Sequence, residues 1–209
     1  MGEEPPSRWE RVGPATSGYG RHFADLVERG VDVDGEARLA DALLPRGGRV
    51  LDVGSGMGRV SEALRRRGHR VVAVEPDAEL VEQSRRTYPE VDVVPVTALQ
   101  LDAATLERHG HPAAYDLVVV VGNVLVFLAE GTERATLARL RDLLAPGGRI
   151  LCGFELVATR SQARSYPAEE FVADAESAGL RVLLRAGTYE LHLPVDDYAV
   201  WLLGRALDG

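Results

Sequence analysis

The sequence predicts an α/β fold: a single domain on a seven-stranded, mostly parallel sheet with an antiparallel last strand, covered by helices on both faces and preceded by a helical N-terminal region. Three observations carry this. Strand-length apolar runs without polar alternation recur along the chain, as strands buried on both faces require. Helical patterns of ~10–14 residues separate them, which is the signature of parallel strands joined by crossovers. The last two runs are joined by a short helix-free stretch, which leaves antiparallel pairing.

At the N-terminus, residues 1–8 are polar and hold Pro5 and Pro6, so they read as a disordered tail. Residues 9–45 read as a helical cap and residues 46–209 as the main domain. Phe23, Leu26 and Val27 mark one amphipathic face, and Leu39, Ala42, Leu43 and Leu44 another. Asp34, in the turn between them, is placed to cap the second helix. Pro45 and Gly47-Gly48 stop that helix before the strand Arg49 to Val53.

The stretch Val50 to Leu64, VLDVGSGMGRVSEAL, organises the rest of the chain. A buried strand runs into glycines at 54, 56 and 58 and then into a helix N-terminus, where unpaired N–H groups and the helix dipole favour an anionic ligand group. Glycine suits the loop because it takes positive φ and lets a ligand approach the backbone. Arg65, Arg66, Arg67, His69 and Arg70 cluster at that helix's C-terminal end, with Gly68 as its cap, and read as dipole complement and solvated face.

Further strands are Arg70 to Glu75, Val91 to Val96 (interrupted by Pro95), Tyr115 to Val121, Arg149 to Phe154, Leu180 to Arg185 and Tyr198 to Leu203. Helices are expected over Asp77 to Tyr88, Thr132 to Leu144 (stopped by Pro146-Gly147-Gly148) and Ala168 to Ala178.

Composition bounds the function. The 209 residues suffice for a full core, and 45% hydrophobic with 27% charged residues is globular usage. A net charge of −8 weighs against nucleic acid as partner. The acidic, proline-bearing N-terminus lacks a signal-peptide apolar region, and no apolar run reaches the ~18 residues of a membrane span. The single cysteine, Cys152, lies in an apolar strand and reads as a buried thiol in a reducing compartment, so a cytoplasmic location is expected. No His/Cys/Asp spacing suggests a metal site.

In an open parallel sheet, ligands bind past the carboxyl ends of the strands, where strand order reverses. There the sequence places Gly54, Ser55 and Gly56; Glu75, Pro76 and Asp77; Val96, Thr97 and Ala98; and Gly122, Asn123 and Val124. A carboxylate ending the second strand, Glu75, can accept two hydrogen bonds from a ribose diol.

VLDVGSGMGR, VVAVEPDAEL, YDLVVVVGNVLVFL and LRDLLAPGGRILCGF together resemble, in order and spacing, the motifs of class I S-adenosylmethionine-dependent methyltransferases, over roughly Asp34 to Arg205. The Arg and Ala bias is similar to that of small bacterial members. The resemblance implies a Rossmann-like three-layer sandwich with the N-terminal segment as a lid, and S-adenosylmethionine as cofactor. Asp52 and Gly54, Ser55, Gly56, Met57 and Gly58 would hold its methionine part. Glu75 would take the ribose hydroxyls, with Pro76 and Asp77 beside the adenine. Many members have an acid after the third strand that bonds the adenine amino group. Val96-Thr97-Ala98 offers none, so the adenine would rest on backbone and apolar packing. Gly122 and Asn123 would flank the transferred methyl group.

The chemistry implied is in-line displacement at a sulfonium methyl by a small-molecule acceptor, which needs alignment, exclusion of water and in some cases a base. Tyr19, His22, Asn123, His192 and Tyr198 are candidates for that base or for holding the acceptor. His69, His109 and His111 fall at helix ends or in loops and read as uninvolved. Trp9, Tyr19, Phe23, Phe127, Phe154 and Tyr166 are the candidate apolar lining. The absence of an Asn-Pro-Pro-Tyr motif weighs against amino-directed DNA or glutamine methylation, and the lack of a metal site against metal-assisted catechol methylation. A monomer or homodimer is expected. The rivals are a non-catalytic nucleoside-binding module and an NAD(P)-dependent oxidoreductase. In the latter, the third glycine of G-x-G-x-x-G would fall at Arg59.

Overall fold

A computed structural model describes residues 4–13 and 18–206. Its seven strands form one sheet in the order β3-β2-β1-β4-β5-β7-β6. β1 (Arg49–Val53), β2 (Arg70–Val74), β3 (Val93–Val94), β4 (Tyr115–Val120) and β5 (Leu144–Glu155) run parallel, and β7 (Tyr198–Arg205) lies antiparallel between β5 and β6 (Leu180–Ala186). The order reverses between β1 and β4, which opens a crevice past their carboxyl ends.

Strand residues alternate between two cores, because successive side chains point to opposite faces. Leu51, Val53, Val118 and Val120 join the core under α6 (Ala103–Arg108), α7 (Glu133–Asp142) and α8 (Ala168–Ser177). Val50, Leu117, Val119 and Leu151 join the opposite core with α3 (Gly35–Leu43) and α4 (Arg59–Arg66). α5 (Ala78–Thr87) packs against α2 (Tyr19–Glu28), while the short α1 (Arg8–Val12) rests on a 3-10 turn at Val124–Phe127. The sheet and the paired final strands are those expected. Among the described residues no helix is long and apolar enough to cross a membrane.

Several local expectations are corrected. Residues 4–8, expected to be disordered, are tied down: the Ser7 side chain caps α1, and Arg8 donates to Leu128 O at 2.8 Å and to Glu133 at 3.0 Å. Residues 1–3 of that tail lie outside the described residues. Asp34 sits at the cap position of α3 without capping it, and its carboxylate accepts from Arg67 instead. β3 shrinks to two residues at the sheet edge, because Pro95 has no N–H to continue the ladder. α6 has no counterpart among the expected helices, although Asp102 caps it through the Thr105 N–H at 2.7 Å. α7 ends at Asp142, and β5 begins at Leu144, pairing with Tyr115 before a register shift that accommodates the Pro-Gly-Gly turn.

Candidate active site

The carboxyl ends of β1, β2, β3 and β4 open into one cavity of about 970 Å³, roofed by residues 4–13 and α2. That is the upper end of small-ligand pocket sizes, with space for a nucleoside and a second small molecule. The floor is the glycine loop. Gly54, Gly56 and Gly58 all have positive φ. A Cβ on Gly54 would stand 2.4 Å from Val124, whereas one on Gly56 would meet nothing within 4 Å. The loop is therefore pressed against the β4 exit at its first glycine and open at its second.

Two buried carboxylates flank this floor. Glu75, 5% exposed, accepts the Gly56 N–H at 2.9 Å and the Asp77 N–H at 2.9 Å. Among the described residues no cation lies against it, and burial, only partly offset by those N–H groups, pushes its pKa up to about 7. Asp52, 1% exposed, accepts the Ser61 hydroxyl at 2.6 Å, and burial raises it to about 6. Ser55 Oγ is buried with no hydrogen-bond partner among the described residues. Burial outweighs the favourable contacts at both, the Arg59 charge included at Asp52, so they suit donors from a ligand: hydroxyl groups at Glu75, an ammonium group at Asp52.

The roof is aromatic. Phe127 and Trp9, and Trp9 and Tyr19, pack edge to face with centroids 5.5 Å apart, and Tyr19 meets Phe23 at 5.1 Å. Arg59 lies over the Phe23 ring at 5.2 Å, with its guanidinium bound by both oxygens of Glu36. The Trp9 indole N–H donates to Asp77 at 2.7 Å, and Asp77 also caps α5. Burial raises the Tyr19 pKa, with the nearby Arg59 charge working against it.

The cavity brings together Asp52, Gly54, Ser55, Gly56, Met57, Glu75, Pro76, Asp77, Val96, Thr97, Ala98 and Gly122, together with the candidates Tyr19, Trp9, Phe23 and Phe127. Others do not line it. Gly58 forms the α4 cap, where a Cβ would strike Ser84 Oγ at 2.7 Å. Asn123 turns away: its Oδ1 accepts the Glu155 N–H at 2.8 Å, joining the ends of β4 and β5. His22 is exposed on α2, and His192 is exposed beside Thr188. Tyr198 is hydrogen-bonded to Tyr189, their hydroxyls 3.1 Å apart. Phe154 and Tyr166 are fully buried core with Phe171. Sequence reasoning missed Glu4, Glu10, Arg59 and Leu80 as lining. Only Arg59, next to the glycine loop, carried a local signal.

Comparisons with known proteins agree with this geometry. A family profile described as "Methyltransferase domain" matches residues 50–148. A TehB-like S-adenosylmethionine-dependent methyltransferase from Corynebacterium glutamicum is 29% identical and superposes with a TM-score of 0.80, covering 92% of this chain and 100% of that one. A Burkholderia thailandensis 1,6-didemethyltoxoflavin N1-methyltransferase, solved with that molecule and S-adenosylhomocysteine, shares the fold at 21% identity and a TM-score of 0.63, covering 99% and 94% of the two chains. A carboxy-S-adenosyl-L-methionine synthase from Pseudomonas entomophila is 32% identical over 148 residues, 64% of this chain and 58% of that protein. The chain thus matches under two thirds of the length of such curated relatives.

Proposed function

We propose that the chain, which matches a methyltransferase-domain profile over residues 50–148, is a class I S-adenosylmethionine-dependent methyltransferase that binds this sulfonium nucleoside in the cavity and methylates a small-molecule acceptor. The observation that carries the reading is the pair of buried carboxylates, both raised by burial, on either side of an open glycine. Glu75 would hold the ribose hydroxyls, Asp52 would attract the ammonium group, and the open side of Gly56 leaves room for the methionine part. When bound, the cofactor supplies an activated methyl group; the protein supplies alignment and a dry site. The aromatic roof excludes water above the loop, and Gly122 leaves the β4 exit open, since a Cβ there would meet nothing within 4 Å.

The curated relatives' name raises a second reading, carboxylation of the cofactor. Such a product carries an extra carboxylate and calls for a free cation. The cation among the cavity-lining residues is Arg59, and its guanidinium is already held by Glu36. The site therefore favours methyl transfer. Its acceptor is a small molecule rather than a nucleic acid, because five lining residues are acidic (Glu4, Glu10, Asp52, Glu75 and Asp77).

Calorimetric titration with S-adenosylmethionine, S-adenosylhomocysteine, NAD and NADP tests the reading. Binding of the sulfur nucleosides alone is expected; binding of a nicotinamide nucleotide instead, or of none of the four, would overturn it.

A further inference from the structure

We propose that Glu4, from the N-terminal segment, is the residue that reads the base of the bound nucleoside, and so selects adenine by its exocyclic amine. The inference rests on the cofactor reading above. With the ribose at Glu75 on β2, the next strand outward is β3, and its exit residues Val96, Thr97 and Ala98 line the same cavity. That wall carries no ionisable side chain of its own. Glu4 supplies one from 93 residues away: the Thr97 hydroxyl donates to Glu4 Oε1 at 2.6 Å.

The other lining carboxylates have partners or ligand roles elsewhere, Glu75 and Asp52 being those assigned above to the ribose and the ammonium group. Glu10 is bound to Ser7, Asp77 to Trp9 and the α5 cap, Asp52 to Ser61, and Glu75 to two backbone N–H groups. The second oxygen of Glu4 has no hydrogen-bond partner among the described residues. A carboxylate with an open acceptor, fixed in place by a threonine, matches an amine donor and repels a carbonyl oxygen at the same position. In this proposal the carboxylate acts beside the backbone and apolar packing expected to hold the base.

The test compares calorimetric affinities for S-adenosylhomocysteine and its deaminated 6-oxo analogue, S-inosylhomocysteine, in the wild-type chain and in Glu4→Gln. The amide can still accept from Thr97, and it can now donate to a 6-oxo group. The wild type is expected to prefer the adenosyl ligand by about 10–100-fold. Glu4→Gln should pull that ratio to near one or reverse it, with unchanged thermal stability. A ratio that stays put while S-adenosylhomocysteine still binds both proteins overturns the role of Glu4. Failure of the wild type to bind either nucleoside overturns the cofactor reading itself.

Discussion

Glu75 Oε2 accepts the backbone N–H of Gly56 at 2.9 Å, so the acid that ends β2 and the loop that leaves β1 form one hydrogen-bonded unit. The unit is buried without a cation, at a cost that can be measured in the free protein. Folding raises the Glu75 pKa from its ordinary 4.5 to about 7. Between those values the native state binds more protons than the unfolded chain, so stability falls as pH rises through this window, by about 3 kcal/mol. Asp52 adds to the same trend between 3.8 and about 6. Glu62, held below the usual range by hydrogen bonding from Arg65, works in the opposite direction only below the window. The melting temperature of the ligand-free protein should therefore drop from pH 5 to pH 8, and Glu75→Gln should flatten much of the slope. An unchanged slope in the variant would show that the carboxyl is not titrating there.

The glycine loop yields a contrast between two alanine substitutions. Both positions have positive φ, at a cost of about 1–2 kcal/mol for any Cβ. At Gly54 the new methyl also collides with Val124, 2.4 Å away, so Gly54→Ala should lose about 2–4 kcal/mol, part of it recovered by Val124→Ala. At Gly56 the methyl meets open space, and the loss should appear in ligand affinity more than in denaturation midpoint. Equal stability loss in the two variants would contradict this division of labour.

The sheet was legible because each strand is an uninterrupted apolar run, and the crevice followed from strand order alone. The places of Gly56 and Glu75 at the cavity were legible too, since they follow from strand ends. The roof was legible only in part. Trp9 and Phe127 stood out as large aromatics, but nothing local shows that Phe154 and Tyr166, equally aromatic, point into the core instead. Asn123 has the right place and the wrong direction, its side chain taken by the Glu155 N–H. Glu4 lies far from Thr97 in sequence, and a polar proline-bearing tail gives no periodicity from which to predict its docking.

That docking rests partly on one hydrogen bond. The Trp9 indole N–H to the Asp77 carboxylate, at 2.7 Å, is a charge-assisted bond between the roof and the α5 cap. Trp9→Phe keeps an aromatic ring against Tyr19 and Phe127 while deleting the donor, which should cost the segment about 1.5–3 kcal/mol. Tryptic cleavage after Arg8 and Arg11 should accelerate about 10-fold or more, with little change in global melting temperature. Cleavage at the wild-type rate would mean the bond does not hold the roof down.

Arg59 lines the cavity with its charge already paired to Glu36. It and Glu36 are each only 14% exposed, and both Glu36 oxygens engage the guanidinium. Removing the charge of a buried partner leaves an uncompensated cation, so Glu36→Gln should destabilise the protein by about 1–3 kcal/mol, less than full deletion because the amide still accepts one bond. The freed cation would sit beside Phe23 at the edge of the cavity. A carboxylated analogue of S-adenosylmethionine should then gain affinity relative to S-adenosylhomocysteine by roughly 10-fold, and the gain should shrink as salt is added. If the wild type already prefers the carboxylated nucleoside, the ion pair does not gate the site and methyl transfer loses its advantage over carboxylation.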